Sequence, residues 1–350
     1  LVAATLTAPT MRAVHAVGDC GAPFVACIQI VKLPVPTPSP SQVLIRVDAS
    51  SINPSDVDTV EAGGCARGCG ADVAGVVVAC PSCKSLKVGD SVWGFAQPAY
   101  SDFALTTEED LGLKPTSLRA LDAGTIPEVG LTSLFSLKRT GSLPGTPLPA
   151  GTPWKNFSNL TVVVTAGSGG TGSVGIQMAK AWGAKAIATA TTGVEGFAFV
   201  RSLGATYVTD YRKEDLFASL PDDSVDIVYD NYGAEGTADR AMRTIRPGGM
   251  YLMMPHGECY EKKTQGPPCL SANPKPGVRQ LNYVTGPDFE VYSRTGLDEL
   301  AALVTQGVLT TQIDRVYGLD TIASAFNYSA GPGEGGVGSH IGKIAISMAS

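Results

Sequence analysis

The chain is 350 residues long with a formal charge of −6, and 44% of it is hydrophobic against 17% charged. That length holds two domains with separate cores, and an acidic chain whose Lys and Arg do not cluster excludes a nucleic-acid backbone as its natural partner. No apolar run is long enough to cross a bilayer. Short apolar runs at 11–17, 24–32, 43–49, 74–79, 91–95 and 103–106 alternate with Gly-, Pro- and Ser-rich turns, which predicts a barrel-like β unit. Residues 34–40, Pro-Val-Pro-Thr-Pro-Ser-Pro, read as a stiff extended connector. A helical pattern covers 118–138, and the Pro- and Gly-dense segment 141–154 reads as a loop insertion. From residue 160, strands at 160–165, 186–190, 207–209, 226–229 and 250–254 alternate with helical patterns at 173–182, 194–203 and 237–245. Alternation of this kind predicts a doubly wound parallel sheet. Segment 259–277 is irregular, 297–306 is helical, and 343–347 is a closing strand.

The sharpest signal is the β-branched strand that ends in Thr165-Ala-Gly-Ser-Gly-Gly-Thr-Gly-Ser-Val-Gly175. The spacing G-x-G-x-x-G occurs there in two registers, from Gly167 and from Gly170. A strand runs in and an amphipathic pattern (Val174, Met178, Ala181) runs out, so main-chain amides between Ala166 and Val174 are expected to converge on a pyrophosphate. Candidate contacts are Ala166, Ser168, Gly169, Gly170, Thr171, Gly172 and Val174, with the glycines letting the backbone approach the phosphates. The alternative is a glycine-rich loop with no ligand. A P-loop is excluded because no Gly-Lys-Ser/Thr closes the turn. A hydrolase nucleophile elbow is a near miss, since Ala166 stands where its first glycine belongs.

Eight cysteines fall into four close pairs: Cys20/Cys27, Cys65/Cys69, Cys80/Cys83 and Cys259/Cys269. An even count with local spacing suits disulfides that staple loops. Asn-x-Ser/Thr glycosylation signals at Asn156, Asn159 and Asn327 point the same way, as does a start at Leu1 rather than Met. Together they favour the secretory pathway, extracellular or an organelle lumen, over the cytoplasm. A four-thiolate zinc site from Cys65, Cys69, Cys80 and Cys83 competes, but residues 73–78 between the pairs read as a buried strand. Cys80-Pro-Ser-Cys83 is spaced like a redox pair, yet it follows a strand instead of opening a helix.

Several stretches together resemble the medium-chain dehydrogenase/reductase superfamily, in its zinc-free quinone oxidoreductase and enoyl-reductase-like branch. They are Val43-Leu-Ile-Arg-Val, Ser51-Ile-Asn-Pro-Ser-Asp56, Gly75-Val-Val-Val, Lys87-Val-Gly-Asp-Ser-Val-Trp-Gly-Phe95 and Gly130-Leu-Thr-Ser. The glycine turn, Arg201-Ser-Leu-Gly-Ala, Asp210-Tyr-Arg, Arg246-Pro-Gly-Gly and Gly342-Lys-Ile complete the set. The resemblance implies an α/β chain. A GroES-like substrate (catalytic) domain would span 1–138 and 309–350, and an inserted Rossmann dinucleotide-binding domain 139–308. It implies an active site in the cleft between them.

Zinc-dependent relatives carry a cysteine and a histidine at the positions that match Asn53 and Ala71, so the resemblance implies no zinc here. The zinc-free branch passes a hydride from a nicotinamide to a quinone or an α,β-unsaturated carbonyl. Asn53 is then a candidate donor to the substrate carbonyl, or else a loop-capping Asn before Pro54. Asp56 matches a position near the site, or is a helix-cap acceptor. Thr132 matches the threonine that approaches the nicotinamide, or is a helix N-terminal hydroxyl. Tyr100 lines the substrate or donates a proton, or simply packs. After the second strand of the nucleotide domain no acid occurs before Glu195, which leans to NADP (NADPH), with Thr191, Thr192 and Tyr211 as contacts. Relatives often place a lysine near position 196; here it is Gly196, for which Arg212 or Lys213 would substitute. The alternative to an enzyme is a non-catalytic exported glycoprotein that keeps the fold as a structural or binding subunit of a larger assembly. Relatives of this kind are usually homodimers.

Overall fold

The computed structural model describes residues 9–18, 20–21, 23–65, 68–140, 157–254, 269–282, 293–331 and 340–349. Two units divide the chain: residues 1–128, 292–305 and 311–350 form one, and 129–291 with 306–310 the other.

The first unit opens with an antiparallel pair, β1 (Thr10–Ala16) and β2 (Ile28–Pro34). β3 (Val43–Ile52), α1 (Pro54–Glu61), β4 (Asp72–Ala79), β5 (Ser91–Phe95), β6 (Phe103–Thr106), β7 (Leu111–Leu113) and α2 (Ala120–Ala123) follow. α3 (Pro127–Thr140) carries the chain into the second unit. There β8 (Thr161–Val164), α4 (Gly170–Ala181), β9 (Ala186–Thr191), α5 (Gly193–Leu203), β10 (Tyr207–Asp210), β11 (Val225–Asp230), α6 (Thr237–Met242), β12 (Ile245–Met253) and β13 (Arg279–Asn282) alternate. α7 (Arg294–Thr305), β14 (Ile313–Gly318), α8 (Ile322–Ala330) and β15 (Lys343–Ser347) return to the first unit.

In the first unit the larger sheet runs β14-β15-β3-β4-β5-β7, with β6 also paired to β3. Ile344 sits opposite Ile52, so the two ends of the chain share one sheet. Its interior is built from Val14, Phe24, Ile45, Val73, Tyr100 and Phe326. Burying each large side chain of this kind contributes roughly 1.5–3 kcal/mol. The run expected as a strand at 24–32 instead turns first, as a 3-10 turn at Phe24–Ala26, before β2 begins. Phe24 is fully buried and its amide donates to Asn327 Oδ1 (2.9 Å), which fixes the turn. The helix expected over 118–138 breaks into α2 and α3, because Pro127 lacks an amide proton and opens a new helix. α7 belongs with the first unit, where buried Leu297 lies against Gly94 of β5 and Gly112 of β7.

In the second unit all neighbouring strands are parallel, in the order β10-β9-β8-β11-β12-β13. Counted within the unit that is 3-2-1-4-5-6, the Rossmann arrangement. Val162, Val163 and Val164 are completely buried, as a central parallel strand with helices on both faces requires. Strand order reverses between β8 and β11, and ligands of such sheets lie outside the carboxyl ends of the strands at that point.

The cysteines of three pairs sit sulfur beside sulfur in the first unit, with Cα–Cα separations of 5.4 Å (Cys20/Cys27), 5.0 Å (Cys65/Cys69) and 5.6 Å (Cys80/Cys83). Those spacings are ones a disulfide spans. Pairing within each close couple takes apart the four-thiolate zinc alternative. Among the described residues no group of three or more His, Cys, Asp or Glu is placed to hold a metal ion.

Five of the described cysteines are buried: Cys20, Cys27, Cys65, Cys69 and Cys269. Cys27, which the run at 24–32 placed inside a strand, instead closes the 3-10 turn: its amide donates to Phe24 O (3.2 Å) and its sulfur lies 3.4 Å from the same oxygen. It is buried against the interior of the first unit, because the turn folds inward with Phe24. Cys269, expected in an irregular segment, is buried in the core of the second unit with Leu270 and Val278. It shares that core with Tyr251 and Met253 of β12. Cys259, the other half of that expected pair, lies outside the described residues, as do Asn156, the insertion at 141–154 and most of 259–277.

Asn159 is exposed on the turn before β8, with φ of 71°. Asn327 differs from the expectation of a surface acceptor. It lies half-buried inside α8 with Oδ1 engaged by Phe24, and Ser329 of its signal is buried. Among the described residues no helix is long and apolar enough to cross a membrane.

Candidate active site

The glycine-rich turn joins β8 to α4 at the carboxyl edge of the Rossmann sheet. Not every amide between Ala166 and Val174 is free to meet an anion. Gly167 N–H donates to Ala190 O (3.1 Å), Gly169 N–H to Ala166 O (3.0 Å) and Ser173 N–H to Gly169 O (3.0 Å). Val174 is buried within the helix. Gly170, Thr171 and Gly172 are left as the first helical residues, whose amides precede the i→i−4 ladder and point out of the helix end.

Glycine roles divide in the same way, and the expectation that each serves ligand approach is corrected. A Cβ on Gly167 would stand 2.0 Å from Thr189 Oγ1, and one on Gly172 would stand 2.2 Å from Ala166 O. These two glycines let parts of the protein approach one another. A Cβ on Gly169 would meet only Ala166 O, at 3.3 Å, so the space beside it is nearly open. Ala166 itself takes a left-handed φ of 47°, which turns the chain from strand to helix.

Below the turn, β8 and β11 are tied at their carboxyl ends. Thr165 Oγ1 donates to Asp230 Oδ1 (2.6 Å) and accepts from Asn231 N–H (2.8 Å), while Tyr251 Oη donates to Asp230 Oδ2 (2.5 Å). Asn231 was missed by sequence reasoning. Its Nδ2 donates to Thr165 O and Tyr229 O (both 3.3 Å), and among the described residues its buried Oδ1 has no protein donor. A buried carbonyl oxygen with no donor is costly unless a ligand or water supplies one. The residue directly after the apolar β11 run was the available signal. Ser133 was missed as well; its hydroxyl donates to Thr171 O (2.9 Å) and accepts from Tyr229 Oη (3.3 Å), holding α3 to the turn. Next to it, Thr132 is buried on the second turn of α3, so it is not a helix N-terminal hydroxyl.

At the end of β9, Thr191 is buried and donates its hydroxyl to Ser168 Oγ (2.8 Å), so it steadies the turn from below. Thr192 precedes α5 with extended backbone, and Tyr211 is exposed. Position 196 is closed: a Cβ on Gly196 would lie 2.6 Å from Thr191 Oγ1. Lys213 pairs with Asp210 (3.4 Å), whereas the Arg212 guanidinium rests over the Tyr211 ring at 5.9 Å.

In the first unit a second polar group surrounds the start of α1. The carboxyl of Asp56 accepts the Asn53 amide proton (2.8 Å), which caps the helix that Pro54 opens. The Asn53 side chain is held at both ends. Its Nδ2 donates to Asp72 Oδ2 (2.8 Å), and its Oδ1 accepts from Lys343 Nζ. Asp72 also accepts from Ser51 Oγ (2.7 Å) and from the Glu128 amide (2.8 Å). Burial, against the pull of Asn53 N–H and Tyr100, pushes Asp56 up to about 6. Burial also pushes Glu128 up to about 8, helped by Asp72 and Asp56, and it lowers Lys343. Tyr100 is completely buried, donates to Ser51 O (3.0 Å) and packs edge-on to Phe326. Asn53 and Asp56 likewise have their polar atoms committed inside the unit.

A GroES-like sheet and a Rossmann sheet with an open helix end define a nucleotide-dependent dehydrogenase or reductase by architecture. Family models agree: residues 39–129 match "Alcohol dehydrogenase GroES-like domain" and residues 203–346 match "Zinc-binding dehydrogenase". A mitochondrial NAD(P)H oxidoreductase of Danio rerio is 27% identical over 327 residues, covering 82% of this chain and 80% of that one. An NADPH-dependent alkenal/one oxidoreductase, chloroplastic, of Arabidopsis thaliana is 34% identical over 238 residues, covering 63% of this chain and 56% of that one. The solved quinone oxidoreductase from Coxiella burnetii shares the fold, with a TM-score of 0.75 at 23% identity over 97% of this chain and all of the other. The chain belongs to the medium-chain dehydrogenase/reductase superfamily, among its quinone and enone reductase-like enzymes.

Proposed function

We propose that this chain is a zinc-independent reductase that uses NADPH to transfer a hydride to a quinone or an α,β-unsaturated carbonyl. The observation that carries the reading is the pairing of open amides at Gly170, Thr171 and Gly172 with the donorless, buried Oδ1 of Asn231 at the strand-order reversal. A dinucleotide would satisfy both, with the amides of Gly170–Gly172 holding its pyrophosphate and Asn231 accepting from one of its donor groups. When bound, NADPH supplies the hydride. The protein's part is to hold it and to orient the acceptor. Thr132, on α3 beside Ser133, is the residue proposed to approach the nicotinamide. Asn53 and Asp56 are proposed to order the loop ahead of α1. Asn53 and Ala71 stand where zinc ligands would be needed, and Lys343 already occupies the Asn53 oxygen, which supports a metal-free reaction.

Turnover tests the reading. NADPH oxidation, followed by its near-ultraviolet absorbance with a naphthoquinone or an acyclic enone, is expected to proceed and to survive exhaustive dialysis against EDTA. A rate that disappears with the metal would contradict it. Cofactor choice is tested at Arg212, whose guanidinium has no carboxylate partner among the described residues and is proposed to pair a 2′-phosphate. Arg212→Gln is expected to weaken NADPH about tenfold, a loss near 1.4 kcal/mol, and to leave NADH unchanged. Isothermal titration with both nucleotides reads the difference.

The three cysteine pairs and the exposed Asn159 favour a second reading, a lumenal or exported glycoprotein that retains the fold without turnover. Glycosidase treatment and thiol alkylation of the native chain separate the two. A glycan at Asn159 with no alkylated thiol supports export; free thiols with no glycan support the cytoplasmic enzyme.

A further inference from the structure

The described cysteine couples of the first unit stand in unlike surroundings. Cys20, Cys27, Cys65 and Cys69 are at most 5% exposed and belong to the interior of the unit. Cys80 and Cys83 are half-buried and packed against that interior, while Pro81 and Ser82 between them are exposed. A sulfur sealed in a core is out of reach of a thiolate in solution; a couple nearer the surface exchanges.

Both flanks of the Cys80/Cys83 couple are held without help from sulfur. On one side β4 runs up to Ala79, which lies opposite Leu44 of β3. On the other, the carboxylate of Glu108 accepts the amides of Lys84 (3.0 Å), Ser85 (2.6 Å) and Leu86 (2.6 Å) together with Ser85 Oγ (2.8 Å). Leu86 is buried, which pins the turn inward. Gly89 N–H then donates to Val77 O (2.9 Å), returning the chain to β4. These contacts keep the two Cα atoms near their separation of 5.6 Å whether or not the sulfurs are joined. Opening such a couple disturbs little structure, and two thiols held this close re-form their bond at high effective concentration. A couple that only stapled the turn would duplicate what Glu108 and the strand pairing already do.

We propose that Cys80–Cys83 is a reversible thiol–disulfide exchange site whose co-reactant is a soluble thiol reductant. A thiolate of the reductant bonds to one sulfur of the couple, the Cys80–Cys83 bond breaks, and the other cysteine leaves as a thiolate that takes a proton. A second reductant thiolate then attacks the mixed disulfide, so the reductant departs as a disulfide and the couple is left as two thiols. Two electrons and two protons pass from reductant to couple, and a disulfide oxidant reverses each step. The couple follows a strand and has no helix N-terminus to stabilise a thiolate, so it is the target of the exchange and not its catalyst.

The test exposes the native full chain to rising concentrations of reduced glutathione, or of thioredoxin as a Cys-x-x-Cys dithiol protein, followed by thiol alkylation and peptide mass spectrometry. Residues 80 and 83 are expected to take label together, at a reductant concentration at least about tenfold below that needed at 20/27 or 65/69, with unchanged circular dichroism. Oxidised glutathione is expected to close the couple again. Preference for thioredoxin at equal thiol concentration assigns the reductant to protein dithiols; equal reduction by both assigns it to small thiols. Cys83→Ser is expected to block reclosure and to accumulate a glutathione adduct on Cys80. Opening of all the couples at one concentration, or of this one last, overturns the proposal. So does loss of the fold when it opens, or a pair of thiols that oxidised glutathione does not join.

Discussion

Gly172→Ala is expected to damage both folding and nucleotide binding, while Gly169→Ala damages binding only. The new methyl at 172 would stand 2.2 Å from Ala166 O, 2.8 Å from its carbonyl carbon and 2.9 Å from Gly167 Cα. All three are backbone atoms of the same turn, so no rotamer relieves the contact. Overpacking of this kind costs about 1–3 kcal/mol. The turn can yield only by displacing the amides of Gly170–Gly172, so NADPH affinity should fall at least about tenfold as well. At 169 the methyl meets one atom, at 3.3 Å, and the backbone has an ordinary extended φ of −78°. Stability there should change by less than about 0.5 kcal/mol, while the methyl stands where a phosphate is expected. Urea denaturation and nucleotide titration of both variants check the pair of results. Equal loss of stability in the two would overturn the division of glycine roles.

Acid conditions are expected to favour the fold over alkaline ones, because of the carboxyls around Lys343. Glu128 is held at about 8 and Asp56 at about 6 in the folded chain, above the 4.5 and 3.8 of free side chains. A carboxyl raised on folding binds its proton more tightly in the native state. The benefit is complete below the unfolded value and is lost as pH rises through the folded one. Stability should therefore decline from about pH 5 to pH 8, by an amount on the order of a few kcal/mol if the two groups act together. Glu108 works in the opposite sense at the acid extreme. Its carboxylate accepts the amides of Lys84, Ser85 and Leu86 and is held at about 2, so that contribution fails only as pH falls toward that value. Thermal melting across pH checks the slope. Glu128→Gln should flatten it and should melt higher than wild type at pH 8; a wild type more stable at pH 8 than at pH 5 would refute the account of the cluster.

What could be read from residues alone was whatever is local. The run from Thr161 to Gly175 announces strand, turn and helix by itself, and the alternation after it announces a parallel sheet. Long-range placement was not legible. Asn53 and Lys343 are 290 residues apart, and only the shared sheet of β3 and β15 brings them together. Tyr100 reads as a substrate-lining residue, a proton donor or, more often, packing, and only the fold brings Phe326 of α8 against its ring. The glycine spacing at 167–172 says that side chains are unwelcome; it does not say whether Thr189, Ala166 or a ligand fills the space. Glu128 follows Pro127 as a first-turn acid, and the charges beside it, from α1, β4 and β15, cannot be seen in the sequence. The turn at Phe24, and with it the inward place of Cys27, depends on Asn327, again from the far end of the chain. Close spacing pairs cysteines, but it does not say that Cys20, Cys27, Cys65, Cys69 and Cys269 face a core.

Direct titration of the purified chain with NADPH, followed by nucleotide fluorescence, tests the central claim. Saturable binding well below about millimolar, tighter for NADPH than for NADH and weakened at least about tenfold in Gly172→Ala, is the predicted result. A chain that folds normally yet binds neither nucleotide below about millimolar would contradict it.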